Sequence, residues 1–193
     1  MIRKETFYLN NMIGKSCIKL VRLFFSRMAN VEILSIDLGE VSLEYEDTEV
    51  TKSVLIKWLD ELGFTIVLDP NVEIAERTKI AAVELIYESL NSNSLVRNSD
   101  YISERLQLPY DKISRVFSQV TGVTLAKYII LLKMEKAKDL LIGNAYTVSE
   151  ISYMMDYSSV QYFSNQFKHH VGVTISTFKE SPQMYRKSLE SLL

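Results

Sequence analysis

Metal binding is the first chemistry that the side chains of this sequence suggest, because two soft donors lie near its start. Met12 and the single cysteine, Cys17, lie five residues apart at the beginning of an apolar helix pattern. Cu(I) prefers two thiolates, so one thiol cannot form that site alone, and methionine is more often packing material. The adjacent His169 and His170 point to different faces of a helix, which favours phosphate contact or solvation. We therefore expect no metal site and no cofactor.

Enzyme catalysis is the second chemistry, and the common catalytic motifs are missing from the sequence. There is no glycine-rich phosphate loop, no H-E-x-x-H sequence and no nucleophile triad. We therefore expect that the protein is not an enzyme and that Cys17 is inert. One cysteine excludes an internal disulfide, and neither a signal region nor a run of about 20 apolar residues appears. These features predict a cytoplasmic protein with no membrane partner.

The reading of DNA bases is the third chemistry, and two helix patterns in the back half carry suitable side chains for it. Arginine pairs with guanine, glutamine or asparagine pairs with adenine, and serine or lysine reaches phosphates. The outward positions are Asp111, Lys112, Ser114, Arg115 and Ser118 in the first helix, and Val160, Gln161, Ser164, Asn165 and Lys168 in the second. Any solvated helix face is also polar, so one such helix does not decide between the two interpretations.

A repeat contains both helices, and this makes DNA reading the favoured interpretation. Ile113, Ser114, Phe117, Gly122, Val123, Thr124 and Tyr128 have counterparts fifty residues later, and Ile102, Ser103, Leu106 and Leu108 have counterparts at forty-nine. Each copy is a short helix, a tight turn and a longer helix. The predicted inward positions are Ile113, Val116, Phe117 and Val120 in one copy, and Phe163 and Phe167 in the other. The expected N-caps are Ser99, Thr147 or Ser149, and Ser158 or Ser159.

The front half alternates between strand and helix patterns in the order β-α-β-β-α-β, which is the ferredoxin-like arrangement. The strands are expected over residues 5–9, 31–38, 41–45 and 65–68, and the helices over 16–28 and from Thr51 to Gly63, with Ser16 as the first N-cap. A helix over 72–90 and a polar break at Asn91–Asn93 follow. The back half has only helical periodicity, including a linker helix over 125–142 between the two copies.

The charge distribution supports a division of the chain into parts. The net charge of the chain is −2. Residues 1–94 contain ten Lys and Arg and fifteen Asp and Glu, whereas residues 95–193 contain twelve Lys and Arg and nine Asp and Glu. An acidic front half and a basic back half indicate different partners. We predict a ferredoxin-like domain over 1–70, a connecting helix and break over 71–93, and an all-α domain of two helix-turn-helix units joined by a linker helix over 94–193.

The back half resembles the DNA-binding domain of AraC-type transcriptional regulators. The resemblance rests on ISERLQLPYDKISRVFSQVTGVTLAKYI, KMEKAKDLL and VSEISYMMDYSSVQYFSNQFKHHVGVTISTFK, and covers about residues 94–181. It implies two helix-turn-helix units, each of which inserts its second helix into the major groove. By this resemblance the base-reading residues are Asp111, Ser114, Arg115, Val160, Gln161 and Asn165, with Lys112, Ser159, Ser164 and Lys168 beside them. Asp156 stands where that family usually has glycine, and aspartate tolerates a left-handed backbone.

The front half resembles the heavy-metal-associated domain of copper chaperones, over about residues 4–69. Those domains carry Met-x-Cys-x-x-Cys before the first helix, where this chain has Met12, Gly14 and Cys17. Gly14 takes the place of the first cysteine, so the resemblance implies the fold without its metal cysteine pair. Dimerisation, response to a ligand and contact with another protein are the roles left open for it.

Together these features predict a sequence-specific DNA-binding transcription regulator that inserts two recognition helices into consecutive major-groove segments. The alternative is a metal-binding or chaperone-like interaction protein that uses the front domain. The expected partners are double-stranded DNA, RNA polymerase, and a second copy of the chain or an effector at the front domain.

Overall fold

The computed structural model of the chain describes residues 1–88 and 98–192, without the side chains of Glu88 and Glu190. These residues form two compact units. The first unit contains Met1–Ala81 and Ile102–Val120, and the second contains Ala82–Tyr101 and Thr121–Leu193. The division into 1–70, 71–93 and 94–193 stays a prediction, and the break expected at Asn91–Asn93 lies outside the described residues.

A three-stranded antiparallel sheet forms the beginning of the first unit. The elements are β1 (Ile2–Tyr8), α1 (Lys15–Phe25), β2 (Val31–Asp37), β3 (Glu40–Glu46) and α2 (Lys52–Glu61). The strand order is β1-β3-β2, with Phe7 opposite Val41 and a register shift between Ile33 and Ser35. The elements and their order therefore agree with the expected β-α-β-β-α, with small shifts at the ends.

The core of this part lies on one face of the sheet, as the alternation of β3 predicts. Val41, Leu43 and Tyr45 are buried, while the residues between them are partly exposed. Val21 and Phe25 of α1, and Leu55 and Leu59 of α2, pack into the same core. A strand that is apolar on alternate residues buries one face and leaves the other to water.

The fourth strand expected over 65–68 is only an isolated bridge. Leu9 pairs with Ile66, supported by a bond from the Asn10 N–H to the Thr65 carbonyl (2.9 Å) and one from the Val67 N–H to the Tyr8 carbonyl (2.8 Å). The pairing is short because Asn11 has a left-handed backbone at φ 64°, and because the next helix begins at Pro70. The complete ferredoxin-like arrangement therefore stays a prediction.

The start of α1 differs from the sequence prediction. Its N-cap is Gly14, without a side-chain hydrogen bond, and Ser16 lies inside the helix. The Cys17 N–H already donates to the Gly14 carbonyl at 2.9 Å, so the first turn closes before Ser16 could cap it. The helix ends at Phe25, three residues before the expected Met28. Thr51 is the N-cap of α2, as predicted.

The β2–β3 hairpin lies close to α3 (Pro70–Glu88), and Gly39 makes this approach possible. Gly39 has φ +75°, and a Cβ atom there would lie 2.7 Å from Cδ1 of Ile80. A larger residue would be strained by the left-handed backbone, and its Cβ would displace the end of the Ile80 side chain. The predicted helix over 72–90 is confirmed as far as Glu88, and residues 89 and 90 lie outside the described range.

The remaining elements are helical, as the periodicity predicts. They are α4 (Asn98–Leu106), α5 (Tyr110–Thr121), α6 (Leu125–Gly143), α7 (Val148–Met154), α8 (Val160–Val171), α9 (Ile175–Glu180), and short 3-10 turns at Pro182–Met184 and Leu189–Leu192. In the second unit, Phe163, Phe167 and Phe178 pack with Leu141 and Ile151 in one core. Among the described helices, none taken singly is long and apolar enough to cross a membrane, whereas α5 and α6 together have that length and composition.

A buried ion pair lies in the linker helix α6, and the sequence analysis did not predict it. Lys138 Nζ lies 2.5 Å from Glu135 Oε1 and 2.6 Å from the Tyr185 carbonyl oxygen, and the Lys187 N–H donates to Glu135 Oε2 at 3.2 Å. Both side chains are less than a tenth exposed. Backbone groups of residues 185–187 therefore complete the hydrogen bonding of two buried charges.

Candidate nucleic-acid interface

The two helix pairs, α4–α5 and α7–α8, turn in the same way. Gln107 and Asp156, at equivalent positions of the repeat, both have a left-handed backbone, with φ 56° and 62°. The equivalent backbone hydrogen bonds also recur. In one turn the N–H groups of Gln107 and Leu108 donate to the carbonyls of Glu104 and Ser103, and in the other those of Asp156 and Tyr157 donate to the carbonyls of Tyr153 and Ser152. The repeat in the sequence therefore corresponds to a repeated local geometry, and the tolerance expected of Asp156 is confirmed.

Capping residues set where the helices of the second pair begin. Thr147 and Glu150 form a reciprocal capping box at α7, which decides between Thr147 and Ser149. The Ser159 hydroxyl accepts a bond from the Tyr162 N–H at 3.1 Å and caps α8, which decides between Ser158 and Ser159. Ser99 is not an N-cap, because α4 begins at Asn98; its hydroxyl donates to the Asp100 carboxylate at 3.2 Å.

The outward face of α5 is polar and accessible. Asp111, Lys112 and Arg115 are exposed, and Ser114 is half-buried. The Ser118 hydroxyl donates to the Ser114 carbonyl at 2.8 Å, so its hydrogen is used within the helix. On the inward face Ile113, Val116 and Phe117 are buried. The prediction for Val120 is wrong: it is 38% exposed, because it lies in the last turn, where no further turn of α5 shields it.

The outward face of α8 is also accessible, and two of its amides are already bonded to each other. Val160, Gln161, Asn165 and Lys168 are exposed, and Ser164 is half-buried. Gln161 Nε2 donates to Asn165 Oδ1 at 3.2 Å, one helical turn away. Phe163 and Phe167 are buried on the opposite face, as predicted. Both helices can therefore present polar side chains to a ligand without uncovering their cores.

Three basic side chains occupy the end of α8. Lys168, His169 and His170 occupy the last turn, and the two imidazole rings lie 4.7 Å apart. Burial lowers the pKa of His170, and the neighbouring His169 and Lys127 lower it further. Cations at a helix C-terminus are favourable and can reach phosphates. Lys168 can make such a contact, whereas the lowered pKa of His170 favours its neutral form. Phosphate contact and solvation both stay predictions for the two histidines.

Lys133 of α6 is a residue that the sequence reasoning missed. Its ammonium group lies 3.8 Å from Asp156 Oδ2 and 5.8 Å from the centre of the Tyr157 ring, and burial lowers its pKa. It therefore holds the turn between α7 and α8 from the linker helix. The only signal in the sequence is a lysine among the apolar positions of α6, and this does not reveal the partner.

The soft donors of the first unit lie in or against its core. Met12 is fully buried, Cys17 is half-buried against the same cluster, and its Sγ lies 4.0 Å from the Asn11 carbonyl oxygen. Across residues 1–88 and 98–192 there is no group of three or more His, Cys, Asp or Glu side chains placed to hold a metal ion. Nothing here supports the metal-binding alternative.

Comparison with known proteins agrees with the repeated geometry. Residues 102–187 match the family model described as a helix-turn-helix domain. This segment is a helix-turn-helix domain that is similar to those of AraC-type regulators. Its bounds lie close to the range of 94–181 over which the sequence resembles that family.

The relatives of the chain carry the names of regulators. The chain is 25% identical over 167 residues to the xylose operon regulatory protein of Escherichia coli (strain K12). The aligned region covers 82% of this chain and 40% of that relative. The chain is 28% identical over 110 residues to the transcriptional activator RhaR of Mannheimia succiniciproducens, covering 55% and 37%. The chain thus spans about two fifths of the length of these relatives.

One solved structure illustrates the extent of structural similarity. The C-terminal domain of AraT, a response regulator from Geobacillus stearothermophilus, superimposes with a TM-score of 0.45 at 25% identity, covering 63% of this chain and 90% of that one.

Proposed function

We propose that this chain is a sequence-specific DNA-binding regulator of transcription that reads the major groove with α5 and α8. The observation that carries the proposal is the repeated turn, closed by the same backbone bonds and followed each time by a helix with a buried apolar face and an exposed polar face. A helix of this kind fits the width of the major groove. The names of the relatives as operon regulators and activators support the same function.

Base contacts carry most of the specificity in this proposal. Arg115 suits guanine as a bidentate donor, and Gln161 and Asn165 suit adenine. Asp111 can accept a hydrogen bond from the N4 amino group of cytosine, and Val160 can contact a thymine methyl group. Ser114 lies on α5, and Ser159 and Ser164 lie at the start and on the outward face of α8. Lys112 and Lys168 reach phosphates. The expectation that the two groove segments are consecutive stays a prediction, which the length of the protected DNA decides.

Selection of bound sequences from random DNA with the full chain tests the function. We expect a defined site to be enriched, and a gel-shift titration to show preference for it over shuffled DNA of the same composition. Arg115→Ala should weaken that preference, whereas Arg27→Ala, which removes an exposed arginine after α1, should leave it intact. Equal affinity for every sequence would contradict the proposal.

The sheet of the first unit supports a further part of the proposal. We infer a ferredoxin-like arrangement with a shortened last strand, because Ile66 pairs with Leu9 beyond the end of β1 while β3 occupies the other edge of that strand. This domain would couple a second copy of the chain or an effector to DNA binding, and RNA polymerase would be the partner at the promoter. Light scattering of the full chain with and without its selected DNA distinguishes one copy from two.

A further inference from the structure

We propose that Gln161 and Asn165 act as one two-point reader that selects an adenine–thymine base pair. The inference rests on the proposed DNA-binding function and goes beyond it, because it makes two residues jointly responsible for one base pair. The reader differs in chemistry from Arg115 on α5, whose guanidinium suits the two acceptors of guanine.

The geometry joins the two side chains before any DNA is bound. They are one helical turn apart, both are exposed, and Gln161 Nε2 donates to Asn165 Oδ1 at 3.2 Å. Glutamine and asparagine at this spacing are neighbours on a helix surface. The bond restricts the rotamers of both amides, so less conformational freedom is lost when DNA binds.

The groups that remain after this bond match adenine. Each amide has two donor hydrogens and one carbonyl oxygen. The bonded pair therefore keeps the Gln161 oxygen as an acceptor and the Asn165 NH2 as a donor, and the second hydrogen of Gln161 Nε2 also remains. If Asn165 donates to Gln161 instead, one oxygen and one NH2 group again face outward. Adenine presents an N6 donor beside an N7 acceptor, whereas guanine presents two acceptors at the corresponding edge. The pair therefore complements adenine and leaves an oxygen facing an oxygen at guanine.

The residues beside the pair favour the same base composition. Val160, one residue earlier, is 38% exposed and offers its methyl groups to solvent at the start of α8. A thymine methyl group is the apolar feature of the major groove that such a side chain can contact. Lys168, also exposed, lies one turn beyond Asn165 and is suited to a phosphate. The α8 block of the site should therefore be rich in A·T pairs.

Affinity measurements on the selected site, with all four base pairs at each position, test the reader in the full chain. Gln161→Ala and Asn165→Ala should each reduce the preference for adenine about tenfold at the same base pair. The double variant should lose no more than the larger single effect, because either substitution already breaks the pair. Gln166→Ala, which removes a neighbouring amide of α8, should leave that preference unchanged.

Asn165→Asp gives the sharpest test. An aspartate still accepts the bond from Gln161 Nε2 but replaces the outward donor with an acceptor, so the preference at that base pair should change from adenine to cytosine, which offers an N4 donor. Preferences rather than absolute affinities are compared, since the added charge weakens all binding. Effects at two different base pairs that add, or no change of base with Asn165→Asp, would overturn the reader while the DNA-binding function stands. Wild-type chain without any sequence preference would overturn that function itself.

Discussion

At the scale of single residues, the buried pair of Glu135 and Lys138 should be costly to break. Lys138→Met leaves the Glu135 carboxylate buried without its cation, so we expect a loss of about 3–5 kcal/mol in the free energy of unfolding. Glu135→Leu together with Lys138→Met should recover much of that loss, because an apolar pair of similar volume removes the uncompensated charge. Urea unfolding monitored by circular dichroism measures both changes.

A more exposed ion pair between α6 and the same carboxyl-side segment provides the control. Asp139 and Arg186 are 2.7 Å apart, but both side chains are more than a third exposed. Arg186→Ala should cost about 0–1 kcal/mol, since water screens the attraction. Equal losses of unfolding free energy for Lys138→Met and Arg186→Ala would show that burial does not make the Glu135–Lys138 pair more costly to break.

Asp156 permits a second prediction at this scale, because its backbone has φ 62° while its side chain is 93% exposed. Glycine adopts this conformation without strain. The contact with Lys133 is long, at 3.8 Å, and its carboxylate side is open to water. We expect Asp156→Gly to stabilise the protein by up to about 1 kcal/mol and Asp156→Val to destabilise it. Thermal unfolding of both variants checks this; a valine variant as stable as wild type would contradict the argument from backbone strain.

At the scale of elements, the capping box of α7 makes stability depend on pH. Bonds from the backbone N–H and hydroxyl of Thr147 lower the pKa of Glu150 below its ordinary value of 4.5. A carboxyl group with a lowered pKa stabilises the folded state above its unfolded pKa, and this contribution is lost as the pH falls through its folded pKa.

Glu150→Gln isolates that contribution, because glutamine retains the capping bonds but does not titrate. We expect wild-type protein to lose stability relative to Glu150→Gln as the pH falls from neutrality to below 4.5. Urea unfolding at several pH values measures the difference between the two proteins. Parallel curves for the two proteins would mean that Glu150 is not a source of the acid sensitivity.

Local patterns predicted most elements. The N-cap of α1 and the exposure of Val120 were local failures, whereas the last strand and the buried ion pair depend on other parts of the chain. The alternation in β3 and the spacing of Phe163 and Phe167 identify buried faces from nearby residues alone. The shortened last strand depends on where Pro70 starts α3, and the partners of Lys138 lie some 47 residues away at Tyr185. Periodicity contains no information about such contacts. The exposed positions of α5 and α8 were predictable for the opposite reason, since they depend only on helix phase.

At the scale of the whole molecule, the acidic front half offsets the charge of the basic back half, and the net charge is −2. The attraction of the whole chain to DNA phosphates, which does not depend on sequence, is therefore weak. Arg115→Ala should cost about 1–3 kcal/mol on the selected site and relax specificity there. Lys168→Ala should weaken all sequences alike and reduce the slope of log affinity against log salt by about 1. Titrations at several salt concentrations separate these effects, and a sequence-dependent loss for Lys168→Ala would contradict its assignment to a phosphate.

The buried pair of α6 also has a consequence for the order of events during synthesis. The Tyr185 carbonyl and the Lys187 N–H follow Lys138 and Glu135 by 47 and 52 residues. At about 5–20 residues per second, a ribosome needs several seconds to make that stretch. Until then the two charges must stay hydrated, because no backbone groups are present to replace water. The nascent chain can complete the sheet of β1, β2 and β3 early, whereas the buried pair of α6 is satisfied only after residues 185–187 emerge.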